Sequence, residues 1–73
     1  MFEHYAIEKN FNPRSEYYHT WALFHYFSEN GVDYKAHGAE FRAKTRKECI
    51  QYAEEHNISV KFIDSGRVPT YHW

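Results

Sequence analysis

Apolar and polar positions change period several times along the chain, and each change marks a predicted element. Residues 2–9 alternate loosely, with Tyr5 and Ile7 on one side and Phe2, His4 and Ala6 on the other, which predicts a short strand. From Asn12 to Val32 the pattern reads as the main helix. Asn12 suits the N-cap, and Pro13 suits the first helical position, where its missing N–H costs nothing. At about 100° per residue, Tyr17, Thr20, Trp21, Leu23, Phe24, Phe27 and Ser28 fall in one arc, the expected core face. The other side carries Arg14, Tyr18, His19, Ala22, His25, Tyr26 and Glu29, an aromatic surface for a face expected to meet water. Gly31 supplies a left-handed residue to end the helix, with Val32 closing against Phe27.

Val32 to Lys44 reads either as one strand bulged at Gly38 or as a hairpin turning at His37-Gly38. The hairpin is preferred, because Gly38 can supply a positive φ and Ala39, Phe41 and Ala43 alternate with Glu40, Arg42 and Lys44. Thr45 followed by Glu48 has the spacing of a capping box and opens a second helix with Cys49, Ile50, Tyr52, Ala53 and His56 inward. Asn57 ends it, and Ile58 closes on Ala53. Ile58 to Asp64 is the next strand, with Ile58, Val60 and Phe62 facing one way and Ser59, Lys61 and Ile63 the other. Ser65-Gly66 turns it, and residues 65–73 form a candidate extended C-terminal arm carrying Pro69, Tyr71 and Trp73. The expected fold is an α+β, two-layer sandwich over residues 1–73, one domain. Two helices cover one face of a mostly antiparallel three- or four-stranded sheet, in the order β-α-β(β)-α-β.

Composition sharpens this picture in two places. A chain of 73 residues buries a modest core, and with one cysteine no internal disulfide can staple it, so the aromatics (21% of residues) carry that role. A lone cysteine and an N-terminus without a basic flank or apolar run point to the cytoplasm, and no apolar run approaches the length of a membrane span. The formal charge of −1, from 9 basic and 10 acidic residues, excludes a strongly basic nucleic-acid coat and a strongly acidic nucleic-acid mimic.

Candidate chemistry is sparse. Tyr18, His19, His25 and Tyr26 on the outer arc, with Tyr71 and Trp73 in the tail, are the candidate partner-binding residues, since aromatics anchor protein interfaces. Arg42, Lys44, Arg46 and Lys47 gather around the start of the second helix, while Glu54-Glu55 lie at its end, the reverse of what the helix dipole favours. Those four bases are the candidate anion or nucleic-acid contacts. The six histidines are scattered and no two have the i, i+4 spacing of a helical metal pair, so no metal or other cofactor is expected. Cys49 falls on the inner helix face as an unreactive small hydrophobe, and Ser65-Gly66 lacks the strand, turn and helix order of a nucleophile elbow, so no enzymatic activity is expected.

The strand that runs through Arg42 into the Thr45-Arg46-Lys47-Glu48 helix start resembles a stretch of the small three-stranded DNA-binding domains at the front of tyrosine recombinases. The resemblance stops with that stretch. It implies a sheet that carries basic side chains toward DNA, and Arg42, Lys44, Lys61 and Lys35 are the residues here that can serve, with Glu40 among them. The functional expectation is a non-enzymatic protein-binding module that binds and inhibits or modulates a larger host protein. Short size and an own Met1 suit a phage or mobile-element accessory protein, with replication, restriction or CRISPR machinery as targets. A homodimer through the aromatic face is a further option, and a nucleic-acid-binding regulator using residues 42–47 is the alternative.

Overall fold

The computed structural model describes residues 2–67. Strands β1 (Phe2–Lys9), β2 (Trp21–Glu29), β3 (Val32–Lys35) and β4 (Phe41–Ala43) precede one helix, α1 (Arg46–Glu55), and β5 (Val60–Ile63) follows it. The α+β class holds. The two-helix arrangement does not: the expected long helix over 12–32 is a loop, a nine-residue strand and a turn.

The correction has a local cause. Trp21-Ala22-Leu23-Phe24-His25-Tyr26-Phe27 is apolar or aromatic on both sides of any strand, and such a run satisfies a helical arc as readily as a buried central strand. Its aromatic richness favours the strand, and the sheet order β3-β2-β1-β5 puts β2 inside, with β4 also paired to it. The punctuation changes meaning accordingly. Asn30 and Gly31, with φ of 54° and 77°, form a two-residue hairpin turn that brings Glu29 opposite Val32. Asn12 caps a turn within the β1–β2 loop, its side chain accepting from the Arg14 N–H at 3.0 Å. Asn10 and Thr20 close that loop through Asn10 N–H to the Thr20 carbonyl at 2.9 Å.

Residues 32–44 are not a hairpin either. β3 pairs with Tyr26–Glu29 and β4 with Trp21–Leu23, both antiparallel to β2 and on the same edge of it. The backbone N–H groups of Ala36 and Glu40 bond the carbonyls of His25 and Leu23, so the edge is one interrupted strand that bulges out between them. Gly38 is not among the positive-φ residues.

The helix matches its sequence grammar. The Thr45 hydroxyl accepts from the Glu48 N–H at 3.2 Å. At the other end Asn57 takes φ of 56°, while Ile58 N–H bonds the Ala53 carbonyl at 2.8 Å and Asn57 N–H bonds that of Glu54 at 3.2 Å, a Schellman end.

Register decides which side of the sheet α1 covers. β1 and β2 are antiparallel with Ile7 opposite Leu23 and Tyr5 opposite His25, so odd residues share the helix side. Ile7, Leu23 and Cys49 are fully buried, joined by Trp21 and Ala53, with Tyr5, Phe41, Ile50, Tyr52 and Val60 packed around them. β5 lies parallel to β1, and a register shift between Tyr5 and Ala6 places Val60 beside Tyr5 but Phe62 beside Ala6. Val60 and Phe62 therefore face opposite ways, contrary to the simple alternation, and Phe62 is 56% exposed.

Trp21 is closed over from the side by the segment after β5. Gly66 has φ of 82°, and a Cβ there would meet Trp21 Cζ2 at 2.9 Å. Gly66→Ala combines backbone strain with a clash against a ring that cannot move without opening the core. It is expected to destabilise by about 1 to 3 kcal/mol, read as a lower midpoint in urea or thermal unfolding; an unchanged midpoint would show that Gly66 does not seat against Trp21.

Candidate binding face

The even positions of β1 and β2 lie on the side of the sheet away from α1, which no described element covers. Across the two strands His4 pairs with Tyr26, Ala6 with Phe24 and Glu8 with Ala22. Arg42 sits opposite Ala22 on β4 and Lys35 opposite Tyr26 on β3, so both project onto this face. The floor is small: Ala6 and Ala22 are 3% and 2% exposed, shielded by the larger side chains around them.

Two depressions follow from that floor. One, of about 130 Å³, is lined by Glu8, Lys9, Asn10, Ala22, Phe24, Lys35 and Arg42. The other, about 420 Å³, is bounded by His4, Ala6, Glu8, Tyr26, Asp33, Lys61 and Phe62. Glu8 stands between them.

Cations and rings are interleaved here. Lys35 Nζ lies 3.8 Å from the centre of the Phe24 ring, and the Arg42 guanidinium 3.9 Å from that of Tyr17. His4 stacks on Tyr26 at 5.2 Å with nearly parallel planes. The acids are engaged by hydroxyl donors, Tyr26 to Glu8 and Ser28 to Asp33. Burial, reinforced by the Glu8 bond and charge, pushes the Tyr26 phenol well above its ordinary value, so it remains a donor.

The expected partner-binding residues do not form one surface. Tyr18 and His19 sit in the β1–β2 loop with ring centroids 3.7 Å apart, and His19 takes φ of 69°. His25 projects to the helix side of β2 and Tyr26 to the open side. Tyr71 and Trp73 lie outside the described residues. The basic segment is likewise divided. Arg42 belongs to the open face, whereas Arg46 donates to the Asp64 carbonyl at 3.3 Å and lies 5.8 Å from the Trp21 ring. That use of Arg46 accounts for one of the bases at the unfavourable end of the helix. Lys44 and Lys47 are exposed.

Phe24 joins this face through the two-residue period of Ala22, Phe24 and Tyr26, legible only once 21–29 is a strand, whereas Lys9 touches the depression from an odd position opposite Trp21. No helix among the described residues is long and apolar enough to cross a membrane. No protein-family model matches the chain, and no curated protein or solved structure matches it.

Cys49 is fully buried against Ile7 and Leu23, and burial raises its thiol above the ordinary value. An aromatic disulfide reagent should leave the thiol untouched in native buffer and titrate it fully once the protein is unfolded in denaturant. Rapid stoichiometric reaction of the native protein would show that α1 opens readily from the sheet.

Proposed function

We propose that the protein is a non-enzymatic binding module that takes a nucleic-acid strand on the open face of its sheet. The observation that carries this reading is the convergence of Lys35 and Arg42 on one depression floored by Ala22 and walled by Phe24. Its size suits a phosphate group. Its single acid, Glu8, already accepts from Tyr26. Phosphate contacts position a strand, and the rings of Phe24, Tyr26 and Tyr17 beside them offer flat surfaces for bases. The resemblance of the β4–α1 stretch to three-stranded DNA-binding domains points the same way, since Arg42, Lys35 and Lys61 are among the bases it would turn toward DNA.

A protein partner is the second reading, and one observation favours it. β5 is an edge strand whose Phe62 and Ile63 are 56% and 42% exposed, a surface that a strand of a larger protein, or of a second copy, could extend. On this reading the module modulates its partner as a small accessory protein would.

Salt separates the two. Two phosphate contacts to a single strand give a log–log slope of about −1.4, so a fourfold rise in salt weakens binding by roughly sevenfold. Polarisation with a labelled single-stranded oligonucleotide should show this slope, and Lys35→Ala and Arg42→Ala should each lower affinity severalfold and flatten it by about 0.7. Absence of binding at low salt, or binding indifferent to both substitutions, overturns the nucleic-acid reading. Salt-insensitive self-association lost in Phe62→Lys, measured by sedimentation, would favour the edge strand.

A further inference from the structure

The helix side of the sheet is only partly covered, and beyond the end of α1 it holds a second cluster that neither reading above uses. His25 projects there from β2, with its ring stacked on Tyr5 at 4.7 Å. His37 and Glu40 reach the same place from the bulge between β3 and β4, the two imidazole rings lying 6.5 Å apart, edge to face. One donor atom from each of His25, His37 and Glu40 lies within 4.8 Å of the other two.

Two hydrogen-bonding features of this cluster suit a bound cation. His25 Nε2 is buried and has no hydrogen-bond partner, the nearest charged atom being Glu3 Oε2 at 3.7 Å. A buried polar nitrogen left unpaired is costly. His37 presents the complementary problem. Its Nδ1 lies 3.0 Å from the Gly38 carbonyl, which can only accept, so Nδ1 carries a proton. Nε2 then faces a Glu40 carboxylate oxygen at 2.8 Å. A lone pair cannot face a carboxylate at that distance without a cation between them, and that cation is either a proton on Nε2 or a metal ion.

We propose that His25, His37 and Glu40 form a binding site for a borderline divalent transition metal of the Zn²⁺ class. A metal would take the His25 nitrogen that has no partner and replace the proton between His37 and Glu40. The donor set of two imidazoles and one carboxylate selects such a metal over the hard cations, which prefer oxygen alone. The Gly38 carbonyl is the outer partner that orients the His37 ring, as metal-bound histidines regularly have. Four-coordinate Zn²⁺ with bonds of about 2.0 to 2.1 Å holds its donors about 3.3 Å apart, so the widest pair must close by at most about 1.5 Å. His25 is fixed by Tyr5, whereas His37 and Glu40 stand on the bulge and can rotate inward. A rotation of Glu3, beside His25, brings a fourth donor; otherwise water fills that position. The metal ties the β3–β4 bulge to the central strand, the kind of staple that a domain of this size uses in place of disulfides.

Titration of the purified protein with Zn²⁺ by calorimetry should show one ion per chain with Kd of about 10 µM or tighter, and an increased melting temperature with the ion present. Co²⁺ should give the visible absorption of a four-coordinate site. His37→Ala and Glu40→Gln, both on the bulge, should weaken binding by about 10-fold or more and remove the Co²⁺ bands, while His56→Gln at the C-terminal end of α1 should leave both unchanged. Absence of saturable binding up to about 100 µM Zn²⁺, or undiminished binding in either bulge variant, overturns the site.

Discussion

The pair Ile7 and Leu23, opposite each other on the two central strands and pressed beneath Cys49 and Ala53, is the contact from which the rest of the architecture follows. Small residues at the helix positions let α1 sit close to the sheet, and the side chains beneath it lose all contact with water. Each such buried aliphatic contributes about 1.5 to 3 kcal/mol relative to an exposed one, a large fraction of the stability a small domain has at its disposal. The aromatic residues are arranged around this nucleus. Phe41 stacks on Tyr52 at 4.2 Å on one flank, and Trp21 closes the end under Gly66. A ten-residue helix reaches only part of a nine-residue central strand and its neighbours. Among the described residues the helix seat therefore leaves two surfaces uncovered: the opposite face of the sheet, and the far end of its own face, where His25 and the bulge meet.

What could be read from the chain beforehand divides along physical lines. α1 was legible to the residue, because Thr45, Glu48, Asn57 and Ile58 act within one turn of helix and owe nothing to distant parts of the chain. β1 was legible for a similar reason, as its alternation is local. β2 was not, because a strand with apolar or aromatic side chains on both sides loses the alternation that identifies strands, leaving its aromatic content and the turn after it as signals. Asn30-Gly31 was seen correctly as a stop but assigned to the wrong element. Asparagine followed by glycine between apolar runs is a stronger hairpin signal than a helix terminus, and both positions take positive φ, as that hairpin requires. With 21–29 a strand, the residues grouped on one helix face are divided between a loop and the two sides of the sheet. Tyr18 and His25 share a helix face at seven residues apart, but as loop and strand residues they are separated by the sheet's geometry.

The same error hid both uncovered surfaces. Arg42 was recognised as a candidate contact for its neighbours Lys44, Arg46 and Lys47 in sequence, whereas its structural companion is Lys35, brought to the same face by strand pairing. The histidines were dismissed as a metal set because no two are spaced for a helix. Sheet pairing places His25 and His37 together across a bulge with no sequence periodicity to announce it. Sites built by register between strands far apart in the chain leave no local mark, and only the backbone bonds of Ala36 and Glu40 to β2 define this one.

Net charge is a poor guide to what the open face prefers. The chain carries −1, yet the depression over Ala22 receives two cations, Lys35 and Arg42, against one acid. Much of the opposing charge lies elsewhere, including Glu48, Glu54 and Glu55 on the helix. An exposed carboxylate among those cations would neutralise one of them and compete with any incoming anion, so the state of Glu8 decides how attractive the depression is. Glu8 spends an oxygen on the Tyr26 hydroxyl, and that phenol is held protonated by burial and by the carboxylate itself. His4 stacks on the Tyr26 ring and Phe24 meets it at 6.4 Å edge-on, so the ring that keeps Glu8 occupied is itself fixed by the face it serves. Tyr26 is therefore a positioning residue for the cationic end of the sheet: its hydroxyl turns the acid toward the neighbouring depression and leaves Lys35 and Arg42 to meet an anion from solution.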